Sequence, residues 1–83
     1  MKIYQQGDRL PNGATVIDST VIPNAREPIG LVLGKLSNGF HQYTVHRYRP
    51  DQYDTPELFW GNYLSDFRLA CETYFKRIDE AQS

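Results

Sequence analysis

The chain has 83 residues, of which 40% are hydrophobic and 23% are charged, and its formal net charge is -1 at pH 7. A chain of this length and composition is a single globular domain with a modest core, so a deep two-lobed catalytic cleft and whole-chain disorder are both disfavoured. The near-balance of charge argues against non-specific binding to nucleic acid, although it leaves room for a local basic patch.

The compartment is predicted from what the chain lacks. Its single cysteine, Cys71, has no second cysteine with which to form an intramolecular disulfide. No apolar run reaches the length of a membrane span, and the first residues do not form a signal-peptide core. We therefore expect a cytoplasmic protein without membrane contact.

The first predicted element is a strand over about 14–22. It is rich in β-branched residues, which favour extended backbone, and Pro23 closes it. The turn residues Pro11–Gly13 precede it and predict a tight turn. The strand is either one bent strand or two short ones.

A hairpin is predicted from strands at about 29–36 and 40–48. Between them lies Asn38-Gly39, the pair preferred by a two-residue type I′ turn. That turn sets a register in which Tyr43 lies opposite Gly34 and covers its bare backbone. The same register pairs Val32 with Val45, Leu33 with Thr44, and Ser37 with Phe40.

A fourth strand is predicted at about 57–64, after a Pro-containing acidic loop over 49–57. Strict alternation divides this strand between two faces. One face would carry Leu58, Trp60, Asn62 and Leu64, and the other Phe59, Gly61 and Tyr63.

A helix is predicted over about 66–80, with Ser65 as its N-cap. Apolar residues recur every three and four positions and form a stripe that faces a sheet: Phe67, Ala70, Cys71, Tyr74, Phe75 and Ile78. The predicted architecture is α+β, an antiparallel three- to four-stranded meander with the C-terminal helix packed on one face.

No residue pattern indicates an enzyme, a metal site or a cofactor. His41 and His46 are five residues apart on a strand and point to opposite faces, so they cannot bind one metal ion together. Cys71 lies within the apolar stripe, where a thiol is a small buried hydrophobe. The acidic residues of the loop over 49–57 lack the fixed spacing that acid/base catalysis needs, and no phosphate-binding loop is present. We expect a non-enzymatic protein.

Aromatic and basic residues in the second half indicate binding instead. Tyr, Trp and Arg are enriched in protein interfaces, so the predicted contact surface for a protein partner comprises Arg47, Tyr48, Arg49, Tyr53 and Trp60. The alternative is nucleic-acid binding by one strand, with base stacking and phosphate contacts from His41, Tyr43, His46, Arg47 and Arg49. A second alternative is a structural homo-oligomer in which these rings bury one another.

Residues 40–78 resemble a loose group of short accessory proteins encoded by phages, plasmids and other mobile elements, in which a Trp-Gly-x-Tyr strand precedes an amphipathic helix. The matching residues are Tyr43, Thr44, Val45, Trp60, Gly61, Tyr63, Phe67, Phe75 and Arg77. This resemblance implies a binding protein, such as an anti-defence inhibitor of a CRISPR system, and brings no catalytic residue. A second similarity, to DNA-binding domains with three strands beside a C-terminal helix, departs in that the strands here lack dense arginines.

Overall fold

The computed structural model describes residues 3–23, 28–37, 42–50 and 57–82. It contains one antiparallel four-stranded sheet in the order β1-β2-β3-β4, followed by a C-terminal helix that packs on the sheet. The elements are β1 (Thr15–Ile22), β2 (Ile29–Lys35), β3 (Tyr43–Tyr48), β4 (Leu58–Leu64) and α1 (Phe67–Gln82). The predicted α+β class and the order of elements are confirmed. The predicted turn at Asn38-Gly39 lies outside the described residues.

The register between β2 and β3 differs by one residue from the predicted register. Gly34 pairs with Thr44, and Tyr43 pairs with Lys35. The glycine–tyrosine contact does occur, but between Gly30 and Tyr48, where an added Cβ would overlap the tyrosine ring. A shift of one residue exchanges the two faces of a strand. The prediction was wrong because β2 is apolar on both faces, so its pattern does not select a register.

The helix covers one face of the sheet, which we call the helix face. Leu31, Leu33 and Val45 lie on this face and pack against Ala70 and Tyr74 of α1, all of them at most 2% exposed. The Tyr74 hydroxyl is hydrogen-bonded to that of Thr20 on β1 at 3.0 Å, and burial raises the pKa of Tyr74. This contact fixes α1 against the edge of the sheet formed by β1.

Residues 3–14 cover part of the opposite face, which we call the N-terminal face. The predicted turn at 11–13 is confirmed, since the Gly13 N–H donates to the Leu10 carbonyl at 2.9 Å. The cluster beneath consists of Tyr4, Leu10, Ala14, Val16, Val32 and Tyr48. The sheet is therefore buried on both faces, which explains why β2 reads as a continuous apolar run.

Tyr48 is the centre of the N-terminal face. Its ring packs edge-on against Tyr4, with the centroids 4.9 Å apart. Its hydroxyl is hydrogen-bonded to Ser19 at 2.9 Å and accepts the Tyr4 backbone N–H at 3.3 Å. A fully buried Tyr needs such partners, and here they join residues 3–14, β1 and β3.

Two predictions about α1 and its start were wrong in detail. Asp66, not the predicted Ser65, is the N-cap, since its carboxylate accepts the Arg68 N–H at 3.0 Å and its carbonyl accepts the Ala70 N–H at 2.9 Å. Phe67 and Phe75, placed in the buried stripe, are 49% and 61% exposed. In the described part of the chain, no helix has the length and apolar character needed to cross a membrane.

Candidate functional site

The most unusual backbone of the described residues lies in β4. Val45 pairs with Asn62, whereas Arg47 pairs with Phe59, so two residues of β4 oppose the single residue His46. This is a β-bulge, formed by Trp60 and Gly61. Trp60 has a φ of 45°, in the left-handed region that bulky side chains avoid, and its side chain is 74% exposed.

The bulge overturns the predicted alternation of β4. With one extra residue, the strand changes phase at its middle, so that Leu58 packs against the cluster of the N-terminal face and Leu64 against that of the helix face. The sequence pattern had placed both leucines on one side. Bulges of this kind are found next to functional sites, where they redirect a side chain.

The positive φ falls on Trp60 and not on the neighbouring Gly61, which is in close contact with the opposite strand. A Cβ at Gly61 would overlap the His46 imidazole, which is buried below it at 5% exposure. The ring of Tyr63 covers the same imidazole edge-on at 5.5 Å. Gly61 thus provides close contact across the strands, and the strained conformation is left to the tryptophan.

Arg77 of α1 holds the bulge from the helix face. Its Nη1 donates to the Trp60 carbonyl at 2.6 Å, to the Val45 carbonyl at 3.2 Å and to Asn62 Oδ1 at 3.1 Å. A bulge interrupts the ladder of hydrogen bonds and leaves such carbonyl groups without a strand partner. The guanidinium supplies that partner and fixes the backbone on which Trp60 stands.

Arg47 contacts the other side of Trp60. Its guanidinium carbon lies 5.1 Å from the centroid of the indole, within cation–π distance. A pocket of about 220 Å³ opens beside this pair and is lined by Arg47, Arg49, Phe59 and Trp60. We refer to Arg47, Arg49, Phe59, Trp60 and Arg77 as the Trp60 surface.

Among the described residues, the Trp60 surface carries three arginines and borders one acidic side chain, Glu80. Burial lowers the pKa of Arg77, the nearby charge of Arg47 lowers it further, and Glu80 acts in the opposite direction. Two guanidinium groups close enough to repel one another therefore lie beside an exposed indole. Such a site attracts anionic groups.

The structure brings together three of the five predicted contact residues: Arg47, Arg49 and Trp60. Tyr48 does not belong to this surface. It is fully buried on the N-terminal face, where it covers Gly30. Tyr53 lies outside the described residues.

Of the described residues of the nucleic-acid alternative, Arg47 and Arg49 share a surface, and Tyr43 and His46 do not belong to it. His46 and Arg47 are neighbours on β3 and point to opposite faces, and His46 is buried. Tyr43 is half-buried, and its ring packs on Phe67 of α1 at 5.4 Å. His41 lies outside the described residues. In the part of the chain that the structure describes, β3 therefore offers no row of exposed rings for base stacking.

His46 belongs to the core and not to a site. Burial lowers its pKa, and the charge of Arg77 lowers it further. Its Nδ1 is buried and finds no hydrogen-bond partner among the described residues. The neutral imidazole is thus the form that the fold accommodates.

Sequence reasoning missed two members of the Trp60 surface, Phe59 and Arg77. Phe59 had been assigned to the strand face opposite Trp60, which the bulge makes incorrect. Arg77 gives no local signal, since an arginine at the border of an amphipathic stripe is usually solvated. Its role depends on carbonyl groups exposed by a bulge 17 residues earlier in the chain.

Comparison with protein-family models, with curated proteins and with solved structures finds no match to this chain. Among the described residues, no group of three or more His, Cys, Asp or Glu side chains is arranged to hold a metal ion.

Proposed function

We propose that this protein is a small non-enzymatic module that binds another protein through the Trp60 surface. The observation that supports the proposal most strongly is the conformation of Trp60. A left-handed backbone costs an L-residue about 1–2 kcal/mol, and here it presents the chain's single tryptophan to solvent at 74% exposure. Strain of this kind persists where the surrounding structure enforces it, and it clusters at functional sites.

The composition of the surface also supports protein binding. Trp, Tyr and Arg dominate the residues that contribute most to protein interfaces, because they bury large areas with few rotatable bonds per unit area. Trp60 and Arg47 are stacked, and Arg77 is fixed by three hydrogen bonds. Side chains ordered before binding lose less entropy when a partner docks.

The form of the activity follows from the resemblance of residues 40–78 to accessory proteins of mobile elements. Such proteins act stoichiometrically, and inhibition of a host defence protein is the form that this resemblance implies. The proposal requires one partner protein and no cofactor.

Affinity capture tests the proposal with a matched pair of variants. Trp60→Ala removes the exposed ring of the proposed surface, and Phe75→Ala removes another exposed ring, 61% accessible, from α1. Phe75 and Arg77 are two residues apart, which separates them by about 200° around a helix. Phe75 therefore lies away from the proposed surface.

We expect the wild-type protein and Phe75→Ala to retain one partner at a constant molar ratio, and Trp60→Ala to lose it while keeping the wild-type circular dichroism. Retention of the partner by Trp60→Ala would refute the proposal. Analytical ultracentrifugation of the purified chain covers the homo-oligomer alternative, since a dimer that dissociates only in Trp60→Ala would identify the partner as a second copy.

A further inference from the structure

Two pockets flank the Arg47–Trp60 pair, and their chemistry differs. The first is the pocket of about 220 Å³ described above, which combines two arginines with two aromatic rings. The second, of about 270 Å³, is lined by Ile29, Leu31, Arg47, Trp60, Arg77, Glu80 and Ala81. Ile29 and Leu31 are buried, Arg47, Arg77 and Ala81 are half-buried, and Trp60 and Glu80 are exposed.

Among the described residues, the positive charges of Arg47 and Arg77 have few acidic neighbours. The described part of the chain holds no acidic group within ion-pair distance of Arg47, whose contact is with the indole. Arg77 donates to two carbonyl groups and an amide oxygen, which are uncharged. Besides burial, repulsion from the charge of Arg47 lowers the pKa of Arg77, while Glu80 raises it. An anion placed beside Arg47 would relieve that repulsion.

We propose that the Trp60 surface recognises an acidic and apolar segment of its protein partner. One apolar side chain of that segment enters the second pocket, and a neighbouring Asp or Glu carboxylate pairs with Arg47 and Arg49 in the first. Arginine binds carboxylates in a bidentate geometry, and an aliphatic floor beside it accommodates an apolar residue. This inference rests on the function proposed above and specifies the class of partner.

An acidic peptide fits these observations better than a nucleic acid does. Single-stranded nucleic acid is bound along a groove with several cations and several stacking rings. Here Arg47 and Arg77 line the same pocket, together with the acidic residue Glu80. The net charge of the chain is -1. Two rings lie on this surface, Trp60 at 74% exposure and Phe59 at 38%, and they do not form a row along a groove.

Selection from a random peptide library displayed on phage tests the inference without knowledge of the partner. The wild-type protein is the bait, and Trp60→Ala serves for counter-selection. We expect the enriched peptides to carry Asp or Glu next to Leu, Ile or Phe. Binding of the synthetic consensus peptide can be followed by the fluorescence of Trp60, because the chain contains no other tryptophan.

Charge reversal identifies the residues. Arg47→Glu should weaken the affinity for the consensus peptide by about tenfold or more. Replacement of the acidic residues of the peptide by Gln and Asn should have the same effect. Arg68→Glu is the matched control, because this substitution changes the charge by the same amount. The Arg68 side chain is 88% exposed and is paired with Glu72 on α1. It should leave the affinity within about twofold.

A neutral or basic consensus, equal effects of the two reversals, or tighter binding of an oligothymidylate would each overturn the inference. These results are distinguishable from failure of the proposed function. Peptides that are not acidic but still require Trp60 would leave the binding surface intact and remove only its acidic preference. If counter-selection on Trp60→Ala removes every peptide that binds the wild-type protein, both proposals are contradicted.

Discussion

Replacing Trp60 by glycine and by alanine separates the strain of its backbone from the contacts of its ring. Both variants lose the indole and its stacking with Arg47, so these contributions cancel in the comparison. The two variants then differ in the backbone alone. In an ordinary strand, glycine is less stable than alanine by about 0.5–1 kcal/mol, because glycine loses more entropy on folding.

At Trp60 the sign should reverse. The φ of 45° costs alanine about 1–2 kcal/mol and costs glycine almost nothing. Subtracting the entropic term of about 0.5–1 kcal/mol leaves Trp60→Gly more stable than Trp60→Ala by up to about 1.5 kcal/mol. The neighbouring Phe59 provides the control, since its φ is not in the left-handed region, and Phe59→Gly should be less stable than Phe59→Ala.

Urea unfolding followed by far-ultraviolet circular dichroism measures all four variants, with the slope m used to check that the unfolding transition is unchanged. If Trp60→Ala is more stable than Trp60→Gly by the margin found at Phe59, the backbone of Trp60 is not strained. The exposed position of this side chain would then involve no backbone strain.

Three further predictions concern the groups that support the bulge. Gly61→Ala should lower the free energy of unfolding by about 1–3 kcal/mol, because its Cβ would overlap the His46 ring; wild-type stability in urea would contradict this. Because burial, and secondarily Arg77, lowers the pKa of His46 in the folded protein, the folded state binds fewer protons than the unfolded state, and stability should fall as the pH drops below about 6.5. His46→Gln should show a smaller loss over that range, and an identical pH profile would count against a buried neutral imidazole. Arg77→Met keeps the aliphatic stem but leaves the Val45 and Trp60 carbonyls without their donor. The free energy of unfolding in urea should fall by about 1–3 kcal/mol, and partner capture should weaken. Normal capture would show that Arg77 does not position Trp60.

Local signals in the sequence were sufficient for the elements and their order. The turn at 11–13 and the strand after it depend on Pro, Gly and β-branched residues whose preferences act within a few positions. The start of α1 was predicted to within one residue, because Ser65 and Asp66 are both good caps and lie side by side. The observed cap is the residue whose carboxylate reaches the second helical N–H.

The features that could not be predicted from the sequence depend on contacts between residues far apart in the chain. The tyrosine that covers a glycine is Tyr48 and not Tyr43, because residues 3–14 form a second core against the N-terminal face and supply partners for its hydroxyl. The bulge at Trp60 depends on His46, which lies across the strand pair and requires Gly61 above it. The alternating residue pattern of β4 does not predict either contact. Trp60, Arg47 and Arg49 were nevertheless predicted, since exposed Trp and Arg indicate interfaces whatever their register.

The most direct test of the account is the environment of Trp60 in the complex with the captured partner. Because the chain has one tryptophan, labelling the protein with 5-fluorotryptophan gives one ¹⁹F resonance. An unlabelled partner contributes no signal to the ¹⁹F spectrum. We predict a resonance with a large solvent isotope shift in the free protein, and a displaced resonance without that shift once the partner is bound. An unchanged resonance in a saturated complex would show that the partner binds elsewhere.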